Sequence, residues 1–465
     1  MTGQFSNPAL LAVFFAALIP FLIKSQGYFK TITKEKAMLT KFLLPASIIL
    51  MFSVIPSTQS RASWIGLAAA LIFVFWNDLI SSLKANLIYS RFLRYSVTGI
   101  VLIAIASATW IAYRWKPDSV VGRFLVWQVS IDMIKDYPIH GVGPGNFSAY
   151  FSRYQALWFQ NQPNDEQFEM LAGSGEYAFN EYIQILTEQG ILGLSLFSIL
   201  IYKAFAVVPR KNPEVANQEK SNLIKGAQGG LISILIFAFF SYPFSSIPVY
   251  ILFVFYFSVI SAAIGDTYHC FSFSKVYLKV VLITSSTLCS FWFIYQTILV
   301  YNASKSWQLA TRYVTSEDYG TAVSLMTPII PVLEMNGRFM SEYGQTLFLS
   351  GQYKESAVIL ERAAGLVSDL YVFTTLGKSY QALGQFGLAE KWYKFAGHFI
   401  PHKFYPKYLL FKLYIGTGEM EKACTIANEI MTMKVKVQSL AVDEMKKDIT
   451  VNLRKISNSC LTGVN

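Results

Sequence analysis

Ser57-Thr58-Gln59-Ser60-Arg61 divides two apolar runs, 42–57 and 62–78, each long enough, or nearly so, to cross a ~30 Å hydrocarbon core. So short a polar break leaves room only for a tight hairpin at a membrane surface. Working outward from it, similar runs lie at 8–23, 96–113, 190–208, 226–243, 246–264 and 278–300. The composition agrees: 53% of residues are hydrophobic, 14% are charged and the mean hydropathy is +0.39, whereas an ordinary soluble chain carries roughly 25% charged residues. The expected fold is all-α, beginning with a polytopic transmembrane bundle of about eight helices.

The formal net charge is +11. In a soluble protein that would suggest nucleic acid, but here the cations gather in alternate short connections: Lys24, Lys30, Lys34, Lys36 and Lys41; then Lys84, Arg91 and Arg94; then Lys203, Arg210, Lys211, Lys220 and Lys225. This is the positive-inside pattern, so no nucleic-acid partner is expected. It places those connections in the cytoplasm and turns 57–61, 114–189, 241–248 and everything after 300 outward. Residues 1–7 lack the positive region and small-residue cleavage site of a secretory leader, so the first run reads as a retained helix. Met1 would then begin outside, and we expect further helices upstream of it.

After 300 the apolar runs give way to a repeat. Ala322, Ser356, Ala389 and Ala423 are spaced by 34, 33 and 34 residues, each preceded by an aromatic or Met: Tyr319, Tyr353, Phe386 and Met420. A period of about 34 residues is the tetratricopeptide signature. Its fullest unit carries Leu376, Gly377, Tyr380, Ala389, Tyr393, Ala396 and Pro401, with weaker units at 336–368 and 402–435 and a partial one at 307–335. Small residues are expected where the two helices of a unit touch. The expected division is a transmembrane domain at 1–300 with its outward loop at 114–189, a tetratricopeptide domain at 301–440, and a tail at 441–465.

Cys270, Cys289, Cys424 and Cys460 are widely separated without C-x-x-C spacing, which supports neither a disulfide framework nor a metal site. The four histidines are scattered, so neither a metal nor a cofactor is expected.

The polar island at 114–190 carries most of what bears on function. It holds Gly122-Arg123-Phe124-Leu125-Val126-Trp127, then Pro138-Ile139-His140-Gly141-Val142-Gly143-Pro144-Gly145-Asn146-Phe147, then Ala178-Phe179-Asn180-Glu181-Tyr182. Phe124, Trp127, Ile131 and Ile134 recur at helical spacing before Pro138, an amphipathic helix with Arg123 at its edge. Gly141, Gly143 and Gly145 fit either a structural turn or an anion-binding nest of backbone amides; no P-loop Lys follows. Phe147, Tyr150, Phe151, Tyr154 and Trp158 form a stripe that reads as packing or as stacking faces for sugar rings.

Together with Gly3-Gln4-Phe5-Ser6-Asn7-Pro8 and Ser57-Thr58-Gln59-Ser60-Arg61-Ala62-Ser63, these stretches and the later Ile183, Gln184, Glu188, Gly190 and Gly193 resemble the O-antigen ligase and O-antigen polymerase superfamily of bacterial envelope proteins. The likeness covers roughly residues 1–265, and a tetratricopeptide tail is a known addition in related proteins. In that family the Gly-x-Phe-x-Asn-Pro element follows several membrane helices, which again points to missing upstream segments.

The resemblance implies a metal-independent glycosyltransferase of the inner membrane. It would pass a glycan from a polyprenyl diphosphate carrier to a hydroxyl on another glycan or on lipid A core, on the periplasmic side. Such chemistry needs positive charge at the departing diphosphate and a way to activate the hydroxyl. Arg61 and Arg123 are the expected carrier-binding pair, since guanidinium can grip phosphate oxygens bidentately; each could instead be an interfacial cation. Trp127, Gly143, Gly145, Asn180 and Glu188 are expected around the substrates. In the ligase branch a histidine precedes the Asn180 element, where this chain has Phe179, which cannot move a proton. Glu181 is then the expected base, with a base-free polymerase-like route as the alternative; His140 is a lesser candidate. The rival reading of the whole chain is a non-enzymatic membrane scaffold whose repeats bind a protein partner around a degenerate transferase core.

Overall fold

A computed structural model describes residue 5 and residues 7–32, 42–86, 117–162, 165–207, 215–264 and 276–455. All regular structure among these residues is helical. The apolar run expected at 96–113 lies outside them. The chain divides into two units, one formed by Met1–Trp127, Ile134–Pro144 and Tyr177–Cys270, the other by Gln128–Met133, Gly145–Glu176 and Phe271–Asn465.

In the first unit, α1 (Pro8–Ile32), α2 (Leu44–Ser57), α3 (Arg61–Asn86), α7 (Glu181–Ala206), α8 (Val215–Ala238) and α9 (Ile247–Ile264) contain the expected runs, and α4 (Pro117–Asp136, whose middle turn belongs to the other unit) comes from the polar island. Asn7 starts α1: its Oδ1 accepts from Ala9 N at 2.9 Å, and Pro8 follows where a missing N–H costs nothing. The Asn-Pro pair of the first motif is therefore a helix start. The core joins Leu10, Val13, Ala17 and Phe21 of α1 to Leu231, Ile234 and Phe237 of α8 and to Val249, Leu252 and Tyr256 of α9. A second cluster seats Ile48, Ile55 and Leu67 of the hairpin on Ala16 and Ile19.

Lipid offers helices no hydrophobic reason to associate, so close backbone approach and internal hydrogen bonds must do so. Gly66 and Gly230 supply the approach: a Cβ on Gly66 would lie 2.7 Å from Ser233 O, and one on Gly230 2.4 Å from the Tyr256 ring. Tyr256 Oη donates to Ala17 O at 2.7 Å, and Gln228 Nε2 donates to Ala204 O at 2.9 Å and Val207 O at 3.0 Å.

By length and composition, Pro8–Gly27, Glu181–Ala206, Gln218–Ala238 and Tyr277–Thr315 can cross a membrane; Leu44–Ser57, Arg61–Trp76 and Ile247–Ala263 are shorter apolar helices. Gly190 breaks α7 with a non-helical φ of 64° and ψ of −165°. The apolar run follows that break, and the polar turn Glu181 to Gln189 precedes it.

The second unit contains α5 (Phe147–Asn161), α6 (Glu166–Leu171) and a helical array. The array begins inside α10 (Val276–Thr315), a single helix that runs through the boundary expected at 300. After α11 (Tyr319–Met326) and the short α12 (Ile330–Leu333) come three hairpins: α13 (Gly337–Leu349) with α14 (Tyr353–Ala364), α15 (Leu370–Ala382) with α16 (Phe386–Phe399), and α17 (Phe404–Thr417) with α18 (Met420–Thr432). Ala322, Ser356, Ala389 and Ala423 are all fully buried. A Cβ on Gly344 would meet Leu360 at 2.6 Å, and one on Gly377 would meet Tyr393 at 2.4 Å, so small residues do set the helix contacts. A further helix, α19 (Leu440–Lys455), occupies much of the expected tail and is tied back by Tyr408 Oη to Asp448 at 3.0 Å.

The cysteine expectation needs correction. Cys424 is disulfide-bonded, while Cys289 is free and exposed. Spacing concealed this because a bridge depends on the approach of two Cβ atoms in space.

Candidate functional site

Stretches that lie far apart in sequence meet in the first unit. The hairpin brings Arg61 to the first turn of α3, next to Gln59, whose φ of 53° is left-handed. Arg123 stands on α4, partly buried. Its proton is held less tightly than an arginine's normally is, first because burial disfavours the charge and then because Arg61 adds a like charge; Tyr242 acts in the opposite direction. The family resemblance paired the two arginines, and in the fold the charge of Arg61 reaches Arg123.

Phe179 lies against Arg123. The Arg123 guanidinium is 5.9 Å from its ring centroid, and the ring meets Tyr242 edge-on at 5.4 Å. Phe179 also has a left-handed φ of 52°, a region costly to any residue with a Cβ and most often tolerated at functional sites. Trp127 helps impose it: its Nε1 donates to Ala178 O at 2.9 Å, while Ala178 N donates to Gln184 Oε1 at 2.8 Å. Gln184 Nε2 in turn donates to Glu188 Oε1 at 2.7 Å.

Tyr242 is the residue sequence reading missed. It stacks on Tyr177 with centroids 4.3 Å apart and planes at 9°, and it accepts at Oη from Asn7 Nδ2 at 3.1 Å. An aromatic residue between two apolar runs carries no motif, so only the fold reveals it as the link between the Asn7 stretch and the Phe179 stretch.

Asn180 and Glu181 open α7. The Asn180 Oδ1 accepts from Tyr182 N at 3.0 Å and Ile183 N at 3.2 Å, a helix cap that sets the entry angle of the strained Phe179. Glu181 is 5% exposed, and its Oε1 accepts from Phe244 N at 2.9 Å. It stands nine residues ahead of the Gly190 break, before the apolar run. Burial pushes its carboxyl up to about 7; the bond from Phe244 opposes this, and the charge of Glu188 adds to it. A carboxyl so poised can take a proton near neutral pH.

The glycine-rich turn serves the α7 break. Val142 N donates to Thr187 O and Gly143 N to Glu188 O, both at 2.9 Å, on one side of Gly190. On the other side Ile191 N donates to Pro138 O at 2.9 Å and Leu192 N to Ile139 O at 3.3 Å. These bonds fill the backbone groups that a broken helix leaves open. The Gly143 amide is thus committed to the protein's own backbone, and this half of the turn is structural. Gly145 is exposed, with open space where a Cβ would stand. His140 is exposed as well.

Three members of the aromatic stripe are packed away. Phe147, Phe151 and Trp158 are buried, Phe147 stacking on Phe151 at 5.4 Å and Trp158 meeting Phe168 at 5.6 Å. On α4, Leu125 and Val126 are buried, while Phe124 of the predicted apolar face is half exposed.

Residues 46–198 match the O-antigen ligase family, a stretch that includes Arg61, Arg123, Trp127, Asn180, Glu181 and Glu188. The chain is also similar to the exopolysaccharide production protein ExoQ of Rhizobium meliloti (strain 1021), 25% identical over 212 residues. That alignment covers 44% of this chain and 44% of the relative. The chain thus spans less than half the length of this relative, and its similarities are to proteins of bacterial polysaccharide assembly.

Proposed function

We propose that this chain is a multi-pass protein of the bacterial inner membrane that assembles polysaccharide by transferring a glycan from a polyprenyl diphosphate carrier to a sugar hydroxyl. The observation that carries this reading is that the charge of Arg61 acts on partly buried Arg123, whose guanidinium lies over the ring of Phe179, two residues before the buried Glu181, within a stretch similar to O-antigen ligases. Two guanidinium groups held close to one another repel, and a diphosphate placed against both offsets that repulsion as well as the burial of Arg123.

In the proposed step the acceptor oxygen attacks the anomeric carbon as the bond from that carbon to the diphosphate oxygen breaks. The polyprenyl diphosphate leaves with the bonding electrons, its charge stabilised by the two arginines. Glu181 takes the hydroxyl proton. Trp127 and Asn180 hold the backbone of Phe179 in place, and the Phe179 ring supports the Arg123 guanidinium. The acceptor is a growing polymer in the polymerase form and lipid A core in the ligase form; the similarity to an exopolysaccharide production protein favours the polymer.

We assign the hairpin array to the tetratricopeptide class on its period and buried small residues, and place it with the 114–189 loop on the periplasmic side. The alternation of basic connections supports that orientation, as does the Cys424 disulfide, which an oxidising compartment permits. A scaffold with a degenerate core is the competing reading, favoured by Phe179 at the position where ligases carry histidine.

Removal of the gene from its host and complementation with the wild-type chain or Arg61→Ala separates them. Under the transferase reading the wild type restores surface polysaccharide and the variant does not. Full restoration by Arg61→Ala, at equal membrane abundance, would falsify the catalytic role of that arginine and leave the scaffold.

A further inference from the structure

The 145–176 segment of the outward loop belongs to the same unit as the array and is seated on it. Gln155 on α5 is 1% exposed and donates from Nε2 to Phe399 O at the end of α16, at 2.6 Å, and to Gly173 O at 3.0 Å. Ser368 N, between α14 and α15, donates to Ser148 Oγ at 3.3 Å. His402, after α16, meets Glu169 O at 2.9 Å through Nδ1. A carbonyl can only accept, so Nδ1 carries the hydrogen. Burial keeps the imidazole neutral down to about 4, against the Glu169 bond and helped by Lys436 and Lys403. Glu166 of α6 pairs with Lys434 beyond α18. Inside the segment Gly175 lies so close to Phe151 that a Cβ would fall 2.2 Å from the ring. One short segment is thus gripped at three successive turns of the array by backbone, imidazole and ion-pair contacts.

We propose that the array's ligand is this chain's own 145–176 segment, and that the array acts as an internal clamp on it. The clamp has reach by covalent connection alone: Gly143 precedes the segment and Ala178, Phe179 and Glu181 follow it. A segment held at Ser148, Gln155 and Glu169 limits the backbone excursions open to both flanks. The clamp itself does not depend on the reaction assigned above; its bearing on glycan transfer rests on that reading. The faces of α5 and α16 used here are occupied, so any external partner of the array must bind elsewhere.

Hydrogen exchange of the full chain in lipid nanodiscs tests this, comparing wild type, Gln155→Ala, His402→Ala and His402→Gln. Amides in 147–171 are expected to exchange at least ten times faster in the two alanine variants, with 370–382 unchanged. His402→Gln, which keeps a side-chain N–H donor, is expected to remain near wild type. Unaltered exchange in 147–171, or equal acceleration in 370–382, overturns the clamp. If exchange rises but polymer length in complemented cells does not change, the clamp stands and its link to transfer is overturned.

Discussion

The Arg123 guanidinium sits 5.9 Å from the centroid of the Phe179 ring, at the position where a ligase-like chain is expected to carry histidine. The aromatic residue that cannot move a proton instead offers a π face to the cation that is proposed to hold the carrier. An interaction of this kind contributes about 0.5–2 kcal/mol, more when desolvated. Phe179→Leu is therefore expected to lower polymer output several-fold at unchanged abundance, and Phe179→Tyr to retain most of it. Equal output from the leucine and tyrosine variants would remove the ring from the argument.

Glu181 sets the expected pH dependence. A base must be ionised, so transfer should rise as pH increases through about 7, the value to which burial pushes this carboxyl. Stability runs the other way. Because the folded-state value lies above the ordinary 4.5, the buried neutral carboxyl adds stability that is fully present below about 4.5 and is lost as pH rises through about 7. Glu181→Gln should flatten both profiles, measured as polymer formed in vesicles and as midpoint of thermal unfolding between pH 5 and 8.5. A transfer profile that keeps its rise in the glutamine variant would assign the proton to another group.

The glycines around the α7 break predict a graded response. A Cβ on Gly190 would lie 2.2 Å from Ile139 O, and one on Gly141 2.3 Å from the Glu188 carbonyl carbon; both have positive φ, 64° and 66°. Gly145 also has a positive φ of 78° but meets nothing within 4 Å. Gly145→Ala should cost only the conformational penalty, about 1–2 kcal/mol. Gly190→Ala and Gly141→Ala add a collision with backbone and should lower the thermal midpoint in detergent far more. Comparable loss in all three would mean that the turn does not clasp the break.

Cys424 gives a chemical test of orientation. Peptide mapping of alkylated protein under non-reducing conditions should find Cys424 oxidised and Cys289 free. Cys424→Ser should lower stability by about 2–4 kcal/mol in oxidising buffer and by little in reductant. A fully reduced Cys424 in protein taken from its native membrane would argue against an oxidising compartment.

Much of the fold was legible because its determinants are local. The apolar runs that became α1, α2, α3, α7, α8, α9 and the start of α10 announce themselves by length alone, since lipid demands a hydrogen-bonded apolar helix of about 20 residues. The period set by Ala322, Ser356, Ala389 and Ala423 likewise predicted where array helices touch, because each contact admits only a small side chain. The boundary at 300 was hidden because α10 carries its helix straight through from the apolar run into the array.

The site was legible in its parts and hidden in its assembly. Arg61, Arg123 and Glu181 stood out as charges beside apolar runs, but no spacing could say that Arg61 would lie near Arg123, or that Tyr242 would join Asn7 to Phe179. Gly143 suggested phosphate and was found bonded to Glu188 O, because the break at Gly190 created a demand for amides that only the folded chain exposes. The sequence by itself determined which segments are apolar enough to enter a membrane and which repeat, for both follow from the transfer of side chains and backbone between water, lipid and a neighbouring helix. Tertiary structure decided which polar groups meet, since charge repulsion, a carboxyl raised by burial and a cation over a ring arise from distances between residues far apart along the chain.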